Sequence, residues 1–300
     1  MTRSAILSIL KNASLGVRES ASCIVAQKIR DKQKCSYGIY DYRLLFVMRD
    51  SKQRSWPSTL TFPGGVVDSD DGLEQLTSIS PLSESPPTDL EMLYRETAVR
   101  ELVEETKFPN PINLRSLIPW SIWQTPLSFK RRYNAVFYFH FVSGEEFLPL
   151  EPSEGEIESL HWFSPAEVLL DSSKTIAPVQ VSDVGRCYQM KTFEELQKFA
   201  SKRHQNHETE QCMPVLAIFA DGACAIHTQD SFYETALQMQ ILDTSRMIKV
   251  EGTISENSAV QEVVCRTVMD GQGNRSMVTS EIWQGHLAGT TGFKSVVNDA

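Results

Sequence analysis

Apolar and polar positions along the first two thirds of the chain fall into blocks whose period changes. Residues 23–26 and 43–48 are short apolar runs with β-branched or bulky members, the pattern of strands. Phe62-Pro63-Gly64-Gly65 follows, and a glycine pair behind proline marks a tight loop. Residues 69–88 are rich in Ser, Asp and Pro, the composition of a solvated insertion. The period then becomes helical. Leu90, Leu93, Tyr94, Thr97, Ala98, Glu101, Leu102 and Glu105 recur at 3.6-residue spacing. Thr88 and Glu91 have capping-box spacing, and Pro109 stops the helix near Lys107, so the pattern predicts a helix over about 89–106. Strand-like runs return at 133–142 and 160–163. Ser164-Pro165-Ala166-Glu167 opens a short helix, and residues 192–204 form a second amphipathic one. A polar stretch at 205–213 reads as a linker. Residues 215–220 and 223–227 read as a hairpin turning on Asp221-Gly222. The remaining tail mixes strand-like runs with Gly, Asn and Ser, and the chain has no internal repeat.

Composition narrows the class. The 300 residues suffice for one large domain or two modest ones, and 41% hydrophobic with 22% charged residues is a globular balance. No apolar run approaches 18 residues, which excludes a spanning helix. Acidic residues (38) outnumber basic ones (29), for a net charge of -9, which argues against general nucleic-acid binding. A small polyanion held through a metal ion stays compatible with that balance. Cys23, Cys35, Cys187, Cys212, Cys224 and Cys265 have neither CxxC nor zinc spacing and read as reduced thiols of an intracellular protein. Residues 1–18 contain Arg3, Lys11 and Arg18 but no acid, and are either a terminal tail or a weak mitochondrial targeting segment. The ending Val297-Asn298-Asp299-Ala300 is not a peroxisomal address, which leaves cytoplasm or mitochondrion as the expected compartment.

Chemistry concentrates in Arg100-Glu101-Leu102-Val103-Glu104-Glu105. On a helix Glu101, Glu104 and Glu105 stand at i, i+3 and i+4, so their carboxylates share one face and repel each other. Mg²⁺ or Mn²⁺, which prefer oxygen ligands and bridge carboxylates to phosphates, would remove that repulsion. Arg100 can pair with Glu96 or Glu104 and orient the group. Taken alone, such a cluster reads first as a solvated acidic face.

In its surroundings this stretch resembles the box of the Nudix hydrolase family: a glycine, then Arg-Glu-apolar-x-Glu-Glu-x-Gly. Gly64-Gly65 supplies the opening and Arg100–Phe108 the close, with Lys107 where the family has glycine. Gly65 and Arg100 are farther apart than in the ordinary box by about 21 residues, and the first box glutamate has no clean counterpart, falling on Asp71 or Met92. A box split in this way resembles the animal coenzyme A diphosphatase branch. Val66-Val67-Asp68, Trp120-Ser121-Ile122-Trp123-Gln124-Thr125-Pro126 and Arg131-Arg132-Tyr133 agree with it, as do Glu154–Glu158, Trp162 and Ser164–Glu167. Arg49, Arg54, Ser58 and Phe62 keep the spacing of the coenzyme A motif, with Ser58 in place of glycine.

The resemblance implies an α/β fold, the Nudix α/β/α sandwich with a mixed, curved sheet, over residues 19–204 (insertion at about 69–88). A β-containing C-terminal extension would occupy 205–300. It implies hydrolysis of a diphosphate linkage with Mg²⁺ or Mn²⁺ held by Glu101, Glu104, Glu105 and the Gly64 carbonyl. Glu101 and Glu105 are the catalytic candidates, with a glutamate of the 154–158 loop as second choice for the base. Arg49, Arg54, Arg131 and Arg132 are expected at the substrate, and Gly65 and Arg100 as structural parts of the box. The expected partner is a small diphosphate, coenzyme A or an acyl derivative; ADP-ribose, a dinucleotide or a nucleotide sugar is the alternative, and a non-catalytic nucleotide-binding module a third reading. Trp120, Trp123 and Trp162 read as packing residues.

Overall fold

The computed structural model describes residues 16–35, 38–53, 55–67, 89–109, 111–144, 148–171, 173–206, 209, 211–259, 265–270 and 275–279. The expected insertion, the Thr88 cap, Asp68, Arg54 and most of the N-terminal segment lie outside the described residues.

Strand β1 (Val17–Cys35) organises the first sheet. One edge pairs in parallel with β6 (Arg132–Val142), from Val17↔Arg132 to Gln27↔Val142. The other edge is shared. β4 (Gly64–Val66) pairs antiparallel with Ser20–Ser22, and β2 (Gly38–Arg49) with Ala26 onward. Beyond its contact with β1, β2 pairs with β3 (Leu60–Thr61) and with β7 (Ile157–Phe163). On the far side β6 pairs with β5 (Ile118–Gln124), giving a mixed eight-stranded sheet once β8 (Gln211–Cys212) joins β5 in parallel.

The period-2 alternation of β1 sends its side chains to two cores. Ala21, Cys23 and Val25 pack with Tyr94, Ala98, Val99 and Leu102 of α1 (Asp89–Thr106). Ile24 and Ala26 face the opposite layer. That layer contains α2 (Pro165–Leu170), α3 (Pro178–Tyr188) and α4 (Phe193–Gln205). The result is the expected α/β/α sandwich. Ser164 and Thr192 cap α2 and α4 in boxes with Glu167 and Glu195, at the two helix starts expected from sequence. The Glu91 carboxylate accepts from Arg95 at 3.0 Å, and Arg95 in turn donates to the carbonyls of Leu114 and Leu117.

A second, five-stranded sheet follows. It comprises β9 (Val215–Phe219), β10 (Gly222–Ile226), β11 (Ile248–Lys249), β12 (Cys265–Asp270) and β13 (Arg275–Thr279), with α5 (Tyr233–Leu242) and α6 (Ile254–Ala259). Two expectations are corrected here. The presumed linker contains β8, which extends the first sheet. The hairpin pairs Gly222 with Phe219, so its loop is Ala220-Asp221 and Gly222 is a strand residue. Asp221 is drawn forward because its carboxylate accepts the Ile254 N–H at the start of α6 (2.8 Å). The second sheet meets the first layer system through Thr267 bonded to Ser182 of α3 (3.1 Å) and through the His227 ring against Trp123 of β5, with His227 held by Thr267 (3.0 Å). Trp120 and Trp123 are fully buried, while Trp162 is half-buried beneath the Arg43 guanidinium.

Candidate active site

Two backbone anchors bring the glycine pair to the acidic helix. β4 is registered on β1 as Ala21↔Gly65 and Ser22↔Gly64, and α1 lies on the same face of β1 through Ala98 and Leu102. Glu101 and Glu105, one helical turn apart, therefore face Gly64-Gly65. The Gly64 N–H donates to Glu105 Oε2 at 3.1 Å. At Gly65 the approach is close enough that a Cβ would stand 2.1 Å from Glu101 Oε1. Only glycine leaves that carboxylate its place. At Gly64 a Cβ would meet Ser22 Oγ at 2.1 Å.

Charge is arranged unevenly around the pair. Arg100 contacts Glu101 and Glu104 at 3.0 Å each and donates to the Val66 carbonyl, clamping α1 to the end of β4. It pairs with Glu104, one of the two expected partners. Glu104 is held outward on Arg100 with 57% of its side chain exposed, while the Glu105 side chain is 5% exposed. Arg49 Nη1 lies 3.9 Å from Glu105 Oε1. A further carboxylate comes from the 148–157 loop. Glu151 and Ser153 N–H groups bond the Thr106 and Glu105 carbonyls, satisfying the end of α1, and the Glu156 carbonyl accepts from Asp50. Glu156 is thereby close enough to raise the pKa of both Glu101 and Glu105. Burial is the largest cause in each case. It raises Glu101 against the opposing Arg100 charge, and pushes Glu105 up to about 8 despite the Gly64 N–H and Arg49.

The remaining candidates sit elsewhere. Arg132 donates to the Thr125 carbonyl and to Met213 Sδ. Along β6 it stands five residues from Phe137, the partner of Ser22 opposite Gly64, or about 16 Å away. Arg131 is exposed beside it. No group of three or more His, Cys, Asp or Glu side chains converges as a metal site among the described residues. Sequence reasoning missed Gln53, which bonds Gly155 and Arg49 and links the two loops beside Glu105. No spacing rule marks such a residue.

These features define a class, the Nudix pyrophosphohydrolases. Residues 88–181 match the NUDIX domain family model, and the chain resembles the coenzyme A diphosphatase branch of that family. It is 24% identical to the acyl-coenzyme A diphosphatase NUDT19 of Gallus gallus, over 83% of this chain and 89% of that protein. It is 26% identical to "Putative nudix hydrolase 7" of Caenorhabditis elegans, where the match spans 53% of this chain and 60% of the relative's length. Among solved structures, a Nudix hydrolase from Alicyclobacillus acidocaldarius is similar at 15% identity and a TM-score of 0.45, covering 61% of this chain and 96% of that one. The ADP-ribose complex of the Shewanella oneidensis NrtR Nudix domain is similar at 15% and 0.38, covering 63% and 100%. No helix among the described residues is long and apolar enough to cross a membrane.

Proposed function

We propose that this chain hydrolyses the diphosphate linkage of a nucleoside diphosphate derivative, with coenzyme A or an acyl-coenzyme A as its substrate. One observation carries the reading: two carboxylates one helical turn apart, Glu101 and Glu105, pressed against Gly64-Gly65. The donors are all oxygen, and burial raises the Glu105 pKa, with Glu101 and Glu156 adding to it. A hard divalent cation, Mg²⁺ or Mn²⁺, fits such a set. Glu101, Glu105 and the Gly64 carbonyl would hold it, joined by Glu104 once released from Arg100. When bound, the ion neutralises phosphate charge and lowers the pKa of a water. Glu101 is the first candidate to accept the proton of the attacking water and Glu156 the second. Arg49, 3.9 Å from Glu105, would pair with substrate phosphate and Arg54 would join it, while Arg131 and Arg132, about 16 Å along β6, would meet only a distal part of the substrate. The catalytic domain in this reading is 19–204, with 205–300 as an extension.

The coenzyme A preference is supported by the spacing of Arg49, Arg54, Ser58 and Phe62 and by likeness to the chicken diphosphatase. The products would be 3′,5′-ADP and 4′-phosphopantetheine or its acyl form. The test is purified protein with coenzyme A and Mg²⁺ or Mn²⁺, read by product mass. Turnover is expected to vanish with EDTA, return with added metal, and be lost in Glu105→Gln, whose amide oxygen still accepts from Gly64. Turnover of ADP-ribose without coenzyme A would reject the substrate assignment; undiminished turnover by Glu105→Gln would reject the site.

A further inference from the structure

The loop between β2 and β3 holds a tryptophan in a costly position. Trp56 is 46% exposed and has φ +53°. Positive φ is a genuine outlier for a bulky residue. Pro57 follows, and the residue before proline is ordinarily confined to extended backbone, so the strain is compounded. Among the described residues, the indole makes no ring stack, cation contact or hydrogen bond, although a tryptophan's N–H and faces are usually used. Neither the exposure nor the backbone stabilises the fold.

Strain of this sort persists where the surroundings impose it, and it gathers at ligand sites. Here the surroundings are the site itself. Ser58 N–H bonds the Arg49 carbonyl, and Arg49 Nε bonds the Ser55 carbonyl, both at 3.1 Å. The same Arg49 guanidinium lies 3.9 Å from Glu105. A single guanidinium thus separates the peptide preceding Trp56 from the proposed phosphate position. Of the described tryptophans, Trp120 and Trp123 are buried and Trp162 is covered by Arg43, which leaves Trp56 with an open face.

We infer that Trp56 is the base-stacking residue of the substrate site, its exposed indole receiving the purine of a nucleoside diphosphate whose phosphates lie at Arg49 and the α1 carboxylates. This rests on the diphosphatase reading for the substrate class. A nucleotide carries its base one ribose away from the scissile linkage, so the base receptor belongs on the rim of the site, where Trp56 is. Stacking needs a flat, accessible π-face and no hydrogen-bond readout.

The experiment measures binding of 3′,5′-ADP and, separately, of 4′-phosphopantetheine by equilibrium dialysis, with coenzyme A kinetics alongside. Trp56→Ala should weaken 3′,5′-ADP about tenfold and raise KM for coenzyme A by a similar factor, leaving kcat and phosphopantetheine affinity near wild type. Trp56→Phe should recover most of the loss. Trp56→Gly, which relieves the backbone, should unfold at the same or a higher temperature while binding 3′,5′-ADP as weakly as the alanine variant; a merely structural tryptophan would give lower thermal stability in both. Unchanged 3′,5′-ADP affinity in a folded Trp56→Ala overturns the inference, as does no 3′,5′-ADP binding by the wild type or an equal loss for phosphopantetheine. If the wild type binds 3′,5′-ADP through Trp56 but cleaves no diphosphate, the inference stands and the catalytic reading falls.

Discussion

Lys107 has φ +55° and Ser58 φ +48°, and both occupy positions that the resembled motifs fill with glycine. The left-handed turn is kept at each although the side chain has changed, so the chain bears the Cβ penalty there. At Lys107 the turn ends α1, where glycine is the usual residue. Lys107→Gly should therefore raise stability by about 0.5–1 kcal/mol, net of the added freedom of glycine in the unfolded chain, seen as a higher urea midpoint at constant slope. A lower midpoint would contradict the strain. At Gly65 the opposite substitution is informative. An alanine Cβ 2.1 Å from Glu101 Oε1 forces the carboxylate aside. Gly65→Ala should keep its circular-dichroism spectrum and lose about 100-fold in turnover, the scale expected when a reacting group is displaced by about 1 Å.

Among the elements, those with local punctuation were readable from sequence. α1 runs from Asp89 to Thr106 as its apolar period and Pro109 dictate, and α2 and α4 begin at Ser164 and Thr192, where the capping boxes stand. Thr192→Ala should lower stability by about 1 kcal/mol, with a drop of a few degrees in melting temperature that Thr192→Ser largely avoids. Elements fixed by tertiary contact were not readable. α3 has no side-chain cap, and its buried positions mix Val181, Val184 and Cys187 with Ser182, Asp183 and Arg186, so its apolar period is interrupted by buried polar groups. β5 slips register between Pro119 and Ser121, which places Trp120 and Trp123 in one core and breaks the alternation. The candidate site divides likewise. Glu101 and Glu105 followed from i, i+4 spacing, whereas the outward pairing of Glu104, the position of Arg132 against Met213 and the approach of Glu156 depend on packing distant in sequence.

For the whole molecule, the seam between the two sheets carries a titratable group. His227 is fully buried between Thr267, Cys212 and Trp123, and burial, helped by Arg186, holds its pKa down at about 4 against the Asp230 carboxylate. A depressed folded pKa means the native state binds fewer protons than the unfolded chain. The stabilisation is complete above the ordinary value of 6.5 and is lost as pH falls toward 4, by about 3 kcal/mol for a shift of this size. Asp183, raised to about 6 by burial, acts with the opposite sign, contributing below 3.8 and losing effect as pH rises through 6. The difference between wild type and His227→Gln in unfolding free energy isolates the histidine, and should narrow on acidification from 6.5 to 4. A pH-independent difference would remove the histidine from the seam's acid sensitivity. The anchoring of both halves of the site on β1 has its own consequence. Gly64-Gly65 is fixed by strand register and Glu101 by helix packing, so neither depends on the peptide bonds that join Val67 to Asp89. A backbone cut anywhere in that stretch should leave two fragments that copurify and retain turnover, which makes this the place to split the enzyme or open new termini.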